Sequence, residues 1–253
     1  MSGYTFGDSD LAAARLAILD AIYAPTSDAM LAALDAAPLR VVDLGCGPGA
    51  TTARLVKRFP EATVLGIDAS PSFVATAMAG STGATFTIAD VTEPLPSAPF
   101  DLVYARFLLA HLADVKAALQ TWVDALAPRG SLILEETGII TSDDTDFARY
   151  EQLTSARVRD AGACVYAGPL IVGNLPDSVE IISDRELPID LTAGQAAGMF
   201  WRNLATWGAE AVADGHLTEA ERATLLARLQ ARESDPTRGL FTWTHHQTVA
   251  RRR

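Results

Sequence analysis

The chain has 253 residues, of which 49% are hydrophobic, and its formal net charge at pH 7 is −11. An acidic surface repels nucleic-acid phosphates, so we expect no DNA or RNA partner. No apolar run approaches the roughly 20 residues needed to cross a membrane, and the first residues lack a secretory-signal pattern, so we expect a soluble cytoplasmic protein. Cys46 and Cys164 have the spacing of neither a disulfide framework nor a metal motif.

The N-terminal region is predicted to be helical. Residues 9–36 read as two helices, the first ended by Pro25 and the second begun by Thr26 or Ser27. A helical segment that precedes the first strand must pack over the sheet or cover a ligand. We therefore treat residues 1–38 as an N-terminal helical cap.

A glycine-rich turn follows at residue 45. Residues 40–44 are short, branched and apolar, which is typical of a strand covered on both faces. Gly45, Gly47 and Gly49 come next, and residues 51–59 have apolar side chains at helical spacing. A strand, a glycine turn and a helix in this order form the first half of a nucleotide-binding βαβ unit.

Acidic residues accompany three successive predicted strands. Asp43 is in the first strand. Asp68 directly follows the second strand, at residues 63–67, and Asp90 comes shortly after the third, at residues 84–88. Ligands of doubly wound sheets bind outside the carboxyl ends of the strands. Asp68 also follows the glycine turn at about the distance expected of an acid that binds a ribose.

The glycine motif has two interpretations. The pattern that runs from Gly45 to Ala50 satisfies a dinucleotide fingerprint, which would indicate an NAD(P)-dependent oxidoreductase. With the acids in their order, residues 40–137 instead resemble the class I S-adenosylmethionine-dependent methyltransferases of the small-molecule type. That resemblance implies methyl transfer from S-adenosylmethionine to an oxygen, nitrogen or carbon atom, with S-adenosylhomocysteine as product. A non-catalytic protein that binds S-adenosylmethionine is a further alternative.

The resemblance also implies the cofactor contacts. Arg15 would pair with the cofactor carboxylate or be a solvated helix residue, and Asp68 would accept the ribose hydroxyls. Asp90 would meet the adenine amino group, Phe73 would flank the adenine or be core, and Cys46 is more simply a small space filler. The expected set is Tyr4, Arg15, Asp43, Gly45, Cys46, Gly47, Gly49, Asp68, Ala69, Phe73, Asp90, Val91, Arg106 and Phe107.

Residues 100–137 continue the alternation of strands and helices. A fourth strand is predicted over residues 100–104, a helix over 108–125 and a fifth strand over 131–136. Glu135 and Glu136 come near the carboxyl end of that strand, where one of them would face the pocket or, as we expect, both would face water.

The C-terminal part carries a helical insertion. A helix is predicted over residues 143–163, a sixth strand over 179–189, two helices within 192–235, and a last strand over 239–249 followed by a solvated tail at 251–253. An antiparallel last strand is the signature of the family that the chain resembles. The expected fold is thus an α/β, Rossmann-like, doubly wound seven-stranded sheet. We expect one domain over residues 1–253, with a cofactor-binding core at 39–137 and a lid at 192–235.

Candidate bases for the acceptor are His111 and His245, although His111 could equally be a cofactor contact or a packing residue. His245 and His246 are adjacent in a predicted strand, so their side chains point to opposite faces. No cluster of His, Asp and Glu has metal-binding spacing, and we predict no metal. The acceptor and the oligomeric state stay open, a homodimer being one option.

Overall fold

The computed structural model describes residues 10–35, 37–80 and 83–253. Tyr4, predicted to contact the cofactor, lies outside this part of the chain. The strands are β1 (Arg40–Leu44), β2 (Thr63–Asp68), β3 (Ala84–Ile88), β4 (Phe100–Arg106), β5 (Leu126–Thr141), β6 (Val179–Pro188) and β7 (Thr242–Arg252).

Within the described residues these strands form one sheet in the order β3-β2-β1-β4-β5-β7-β6. β7 is antiparallel to both of its neighbours, whereas the pairs from β3 to β5 are parallel. The predicted doubly wound sheet with an antiparallel last strand is confirmed. The chain adds strands on one side of β1 up to β3 and then on its other side from β4 onward. Ligands of such folds bind at this switch point between β1 and β4.

Helices cover both faces of the sheet. Apolar clusters lie on the two sides, one containing Val42 and Val103 and the other containing Val41 and Leu102. The helices are α1 (Asp10–Ala32), α2 (Ala50–Arg58), α3 (Pro71–Gly80), α4 (Val115–Asp124), α5 (Thr145–Asp160), α6 (Ile171–Asn174), α7 (Ala193–Ala213) and α8 (Glu219–Ala231).

The prediction of two N-terminal helices was wrong, because α1 continues through Pro25. Tyr23, on one side of the proline, and Met30 and Leu31, on the other, are almost fully buried. The Thr26 hydroxyl also donates a hydrogen bond of 2.9 Å to the Tyr23 carbonyl. Burial of the residues on both sides therefore outweighs the local cost of the proline.

The predicted helix over residues 108–125 is interrupted. Residues Leu109–His111 form a single 3-10 turn, and α4 begins only at Val115. The Asp114 carboxylate accepts a hydrogen bond of 2.9 Å from the Ala117 amide, which begins a new helix at this point.

Two predictions of solvent exposure were wrong. Glu135 and Glu136 are buried, because β5 extends to Thr141 and is flanked by β4 and β7. The tail at 251–253 was expected to be solvated, but β7 includes Arg252. The guanidinium of Arg252 donates hydrogen bonds to the carbonyls of Leu126 and Asp124.

The insertion between β6 and β7 forms the two predicted helices. Thr192 and Thr218 each begin a helix with a reciprocal capping box. α7 and α8 pack with α1 and α5 around an aromatic cluster in which the Tyr150 and Phe200 ring centroids are 3.9 Å apart. In the part of the chain that the structure describes, no helix combines the length and apolar character needed to span a lipid bilayer.

Candidate functional site

The glycine turn lies between β1 and α2. Gly45, Gly47 and Gly49 have φ angles of +64°, +52° and +95°, which side chains rarely adopt. Space also restricts the turn, since a Cβ atom at Gly49 would lie 3.1 Å from the Cβ of Ala77. Close neighbours and backbone conformation thus both require glycine here.

Asp43 anchors the turn from beneath. Its side chain is buried, and Oδ2 accepts a hydrogen bond of 2.6 Å from the Thr52 hydroxyl in α2. Burial, with a smaller contribution from the nearby charge of Asp68, raises the pKa of Asp43 to about 7. Asp43 therefore ties β1 to α2. Its position in the sequence was equally compatible with a contact to the ligand.

Asp68 joins the end of β2 to the turn. Its Oδ2 accepts a hydrogen bond of 2.9 Å from the Gly47 amide, and its Oδ1 accepts one of 2.8 Å from the Ser70 amide. The residue is partly exposed. The carboxylate is therefore held at the carboxyl edge of the sheet, beside the turn, as predicted.

Cys46 lies under this arrangement. It is 4% exposed, and its amide donates a hydrogen bond of 3.0 Å to the Ile67 carbonyl. Burial first, and then the charges of Asp43 and Asp68, raise the pKa of the thiol, which is therefore neutral. This environment agrees with a space-filling thiol.

The residues predicted to surround an adenine follow β2 and β3. Asp90 is exposed, and hydrogen bonds from the Thr92 hydroxyl and amide lower the pKa of its carboxyl. Val91 is buried, and its carbonyl accepts a hydrogen bond of 2.8 Å from the indole of Trp122. Ala69 is exposed, whereas Phe73 is buried in α3.

Residues from two other segments approach the glycine turn. A Cβ atom at Gly47 would lie 3.7 Å from Leu16 Cδ1 of α1, and one at Gly45 would lie 2.9 Å from Leu108 Cδ1. The helix α1 and the segment after β4 therefore both border the turn.

Arg106, at the end of β4, contacts α1. It donates a hydrogen bond of 2.5 Å to Asp20, which also pairs with Arg54 at 3.2 Å. Phe107 has a φ angle of +55°, and its ring centroid is 4.6 Å from that of Tyr23. Arg106 and Phe107, which were predicted to contact the cofactor, are thus fastened to the N-terminal helix.

Arg15 and His111 are brought together. Arg15 is 5% exposed, and His111 has an Nδ1 atom that solvent does not reach. Burial first, and then the positive charge of Arg15, lower the pKa of His111 to about 3. The imidazole is therefore neutral at pH 7, and such a low pKa does not suit a general base that works near neutrality.

His245 belongs to a buried polar network between α1 and the sheet. It is fully buried, with Nδ1 2.9 Å from Thr26 Oγ1 and Nε2 3.1 Å from Glu135 Oε2. Glu135 Oε2 also accepts hydrogen bonds of 2.8 Å from Ser27 and Gln247, while Tyr104 donates to Oε1. Sequence reasoning named His245 but missed its partners, because their proximity depends on the register of β5 with β7.

His246 points to the other face of the sheet. Its Nε2 lies 2.9 Å from an Asp184 oxygen. Glu136 is on that face too, and its Oε1 accepts hydrogen bonds of 2.8 Å and 2.6 Å from the amides of Leu108 and Leu109. Burial raises the pKa of Glu136 to about 8. The only sequence feature that pointed to Glu136 as a site residue was its position near the end of a predicted strand.

Among residues 10–35, 37–80 and 83–253, no group of three or more His, Cys, Asp or Glu side chains is arranged to hold a metal ion.

Comparison with known proteins identifies the central segment. Residues 42–134 match the family model described as a methyltransferase domain. Together with the sheet order, this decides between the two interpretations of the glycine turn. The segment is a methyltransferase domain.

Named relatives agree with this assignment. Trans-aconitate 2-methyltransferase of Methylobacterium nodulans is 41% identical over 124 residues, which cover 49% of this chain and 48% of that protein. The match thus spans about half the length of this curated relative.

Solved structures share the methyltransferase fold at lower identity. Coclaurine N-methyltransferase, bound to N-methylheliamine and S-adenosylhomocysteine, is 16% identical with a TM-score of 0.55, over 100% of this chain and 77% of that one. The [4+2]-cyclase SpnF is 17% identical with a TM-score of 0.55, over 100% and 88%. At these identities the fold alone is shared, so the reaction must be argued from the site.

Proposed function

We propose that this chain transfers a methyl group from S-adenosylmethionine to a small-molecule acceptor, at an oxygen, nitrogen or carbon atom. The observation that carries the proposal is the hydrogen bond between the Asp68 carboxylate and the Gly47 amide. It makes the glycine turn and the carboxylate of β2 one preformed unit, which suits a nucleoside with two adjacent hydroxyl groups.

Each cofactor contact in this proposal uses a group of suitable chemistry. Asp68 accepts the ribose hydroxyls, and the exposed Asp90 accepts the adenine amino group, with Val91, Ala69 and Phe73 nearby. Gly45, Cys46, Gly47 and Gly49 provide the narrow backbone surface, supported by Asp43. Arg15, a buried cation next in sequence to Leu16 of α1, pairs with the cofactor carboxylate, and Tyr4, Arg106 and Phe107 complete the set.

The cofactor supplies a methyl group on a positively charged sulfur. The protein binds the acceptor in line with it and excludes water. We assign these tasks to the cap at residues 1–38 and the lid at 192–235, around a core at 39–137. His111 and His245 stay our candidates for the base that accepts a proton from the acceptor. His111 could serve only if bound ligands raise its low pKa.

Carboxylic acids are the first acceptors to test, because the curated relative is named for trans-aconitate. Amines come second, because the fold neighbour is named for N-methylation. We further propose a cytoplasmic protein without a nucleic-acid partner, supported by its acidic charge and its two free thiols. A homodimer is a proposal that light scattering would test.

The test is an acceptor screen in which release of S-adenosylhomocysteine is measured. Turnover that depends on an acceptor supports the proposal. Tight cofactor binding without turnover on carboxylates, amines, phenols and activated carbons would favour a non-catalytic binding protein instead. Hydride transfer with NADH would contradict the proposal of methyl transfer.

A further inference from the structure

We infer that Glu136 is a positioning residue, which holds the segment from Phe107 to His111 in the place where the acceptor is bound. This inference rests on the proposed methyl transfer. It assigns a role to a side chain that was expected to face water.

The segment is fixed by two successive residues of β5. The Phe107 amide donates a hydrogen bond of 2.8 Å to the Glu135 carbonyl, and the next two amides donate to the Glu136 carboxyl group. The amides of Leu108 and Leu109 lie at the start of a 3-10 turn, where backbone donors have no partner within the turn. One buried oxygen of Glu136 satisfies both.

The same segment borders the cofactor turn. Leu108 reaches the space beside Gly45, and His111 lies within the influence of the Arg15 charge. Phe107 is held at a positive φ angle, which its surroundings must impose. A shift of these amides would therefore move groups that face the reacting atoms.

What matters at position 136 is an oxygen at the right distance rather than a charge. Glu136 shares its face of the sheet with His246 of β7, which lies against Asp184, while the neighbouring Glu135 points to the opposite face. The packed segments also contribute Tyr23 and Arg15 of α1, Arg106 of β4, and His111. Burial raises the pKa of the Glu136 carboxyl above neutrality, so the neutral form is favoured. A neutral carboxyl keeps one oxygen for the two amides.

The test compares Glu136→Gln with Glu136→Asp. Glutamine keeps the oxygen at the same reach, whereas aspartate keeps the acid but is one methylene shorter. We expect Glu136→Gln to retain kcat/KM for the acceptor within about threefold. We expect Glu136→Asp to lose at least tenfold, through KM or kcat, while the Kd of S-adenosylhomocysteine changes less than twofold. Glu186→Asp, which shortens a β6 glutamate bonded to Thr244, is the matched control and should leave the kinetics unchanged.

Wild-type kinetics in Glu136→Asp would overturn the inference, as would equal losses in the aspartate and glutamine variants. If the wild type itself has no turnover, the proposed function fails, and hydrogen exchange of the peptide that covers residues 107–111 decides the inference. Faster exchange in Glu136→Asp than in Glu136→Gln supports it, and equal exchange contradicts it.

Discussion

Asp68 is held by backbone amides on both of its oxygens, so its position does not depend on a flexible partner. We expect Asp68→Ala to weaken S-adenosylhomocysteine binding by about 1–3 kcal/mol, through loss of a charge-assisted hydrogen bond. Calorimetry measures the change. Asp101→Ala is the control, because Asp101 also accepts two backbone amides, from Leu39 and Arg40, but at the start of β4. Unchanged affinity in Asp68→Ala would remove Asp68 from the site.

Gly66 shows how closely β2 and β3 approach beneath the turn. A Cβ atom there would lie 2.5 Å from Phe86 Cδ1 and 3.1 Å from Cys46 Sγ. We expect Gly66→Ala to reduce the free energy of unfolding in urea by about 1–3 kcal/mol, because the core must shift. Gly80→Ala is the control, since among the described residues outside its own helix no atom lies within 4 Å of a Cβ atom at that position. Equal stability of the two variants would contradict the packing argument.

His111 makes stability depend on pH. Its pKa falls from 6.5 to about 3 on folding, so the unfolded chain binds the proton more tightly. The free energy of unfolding contributed by His111 therefore rises with pH between about 3 and 6.5, by up to about 1.4 kcal/mol per pH unit. Denaturant unfolding of wild type and His111→Asn at pH 4.5 and 6.5 tests this. The difference between the two proteins should shift in favour of the wild type at the higher pH, and a constant difference would contradict it.

At the scale of elements, α1 is fastened to the core by Asp20, which joins Arg106 of β4 to Arg54 of α2. We expect Asp20→Asn to reduce the free energy of unfolding by about 1–3 kcal/mol, since it leaves the buried Arg106 side chain without its charged partner. Amide hydrogen exchange in α1 should accelerate. Asp28→Asn is the control, because Asp28 pairs with Arg54 but its side chain is 60% exposed. Equal exchange in both variants would show that Asp20 does not hold α1.

The elements also show what the sequence could predict. The two helices within residues 192–235 were predicted and both form, since the capping hydrogen bonds that begin them at Thr192 and Thr218 are local. Pro25 was misread because packing on both sides of it, which no local pattern reports, keeps α1 continuous. The burial of Glu135 and Glu136 was also missed, since it depends on the length of β5 and on its pairing with β7.

At the scale of the whole molecule, the glycine turn and its acids were predictable because each lies at or just after the carboxyl end of a strand, and these ends meet at one edge of the sheet. The match over residues 42–134 confirms the domain class. The polar network of Glu135, Tyr104, Gln247 and His245 was not predictable. It combines residues of three strands with α1, and only the folded register brings them together.

The most direct test of the account is calorimetric titration of the purified chain with S-adenosylmethionine, S-adenosylhomocysteine and NADH in parallel. The account predicts that the first two bind with a Kd near micromolar, about −8 kcal/mol, and that NADH does not bind. Binding of NADH, with none of the two sulfur nucleosides, would contradict the cofactor assignment and restore the dinucleotide interpretation of the glycine turn.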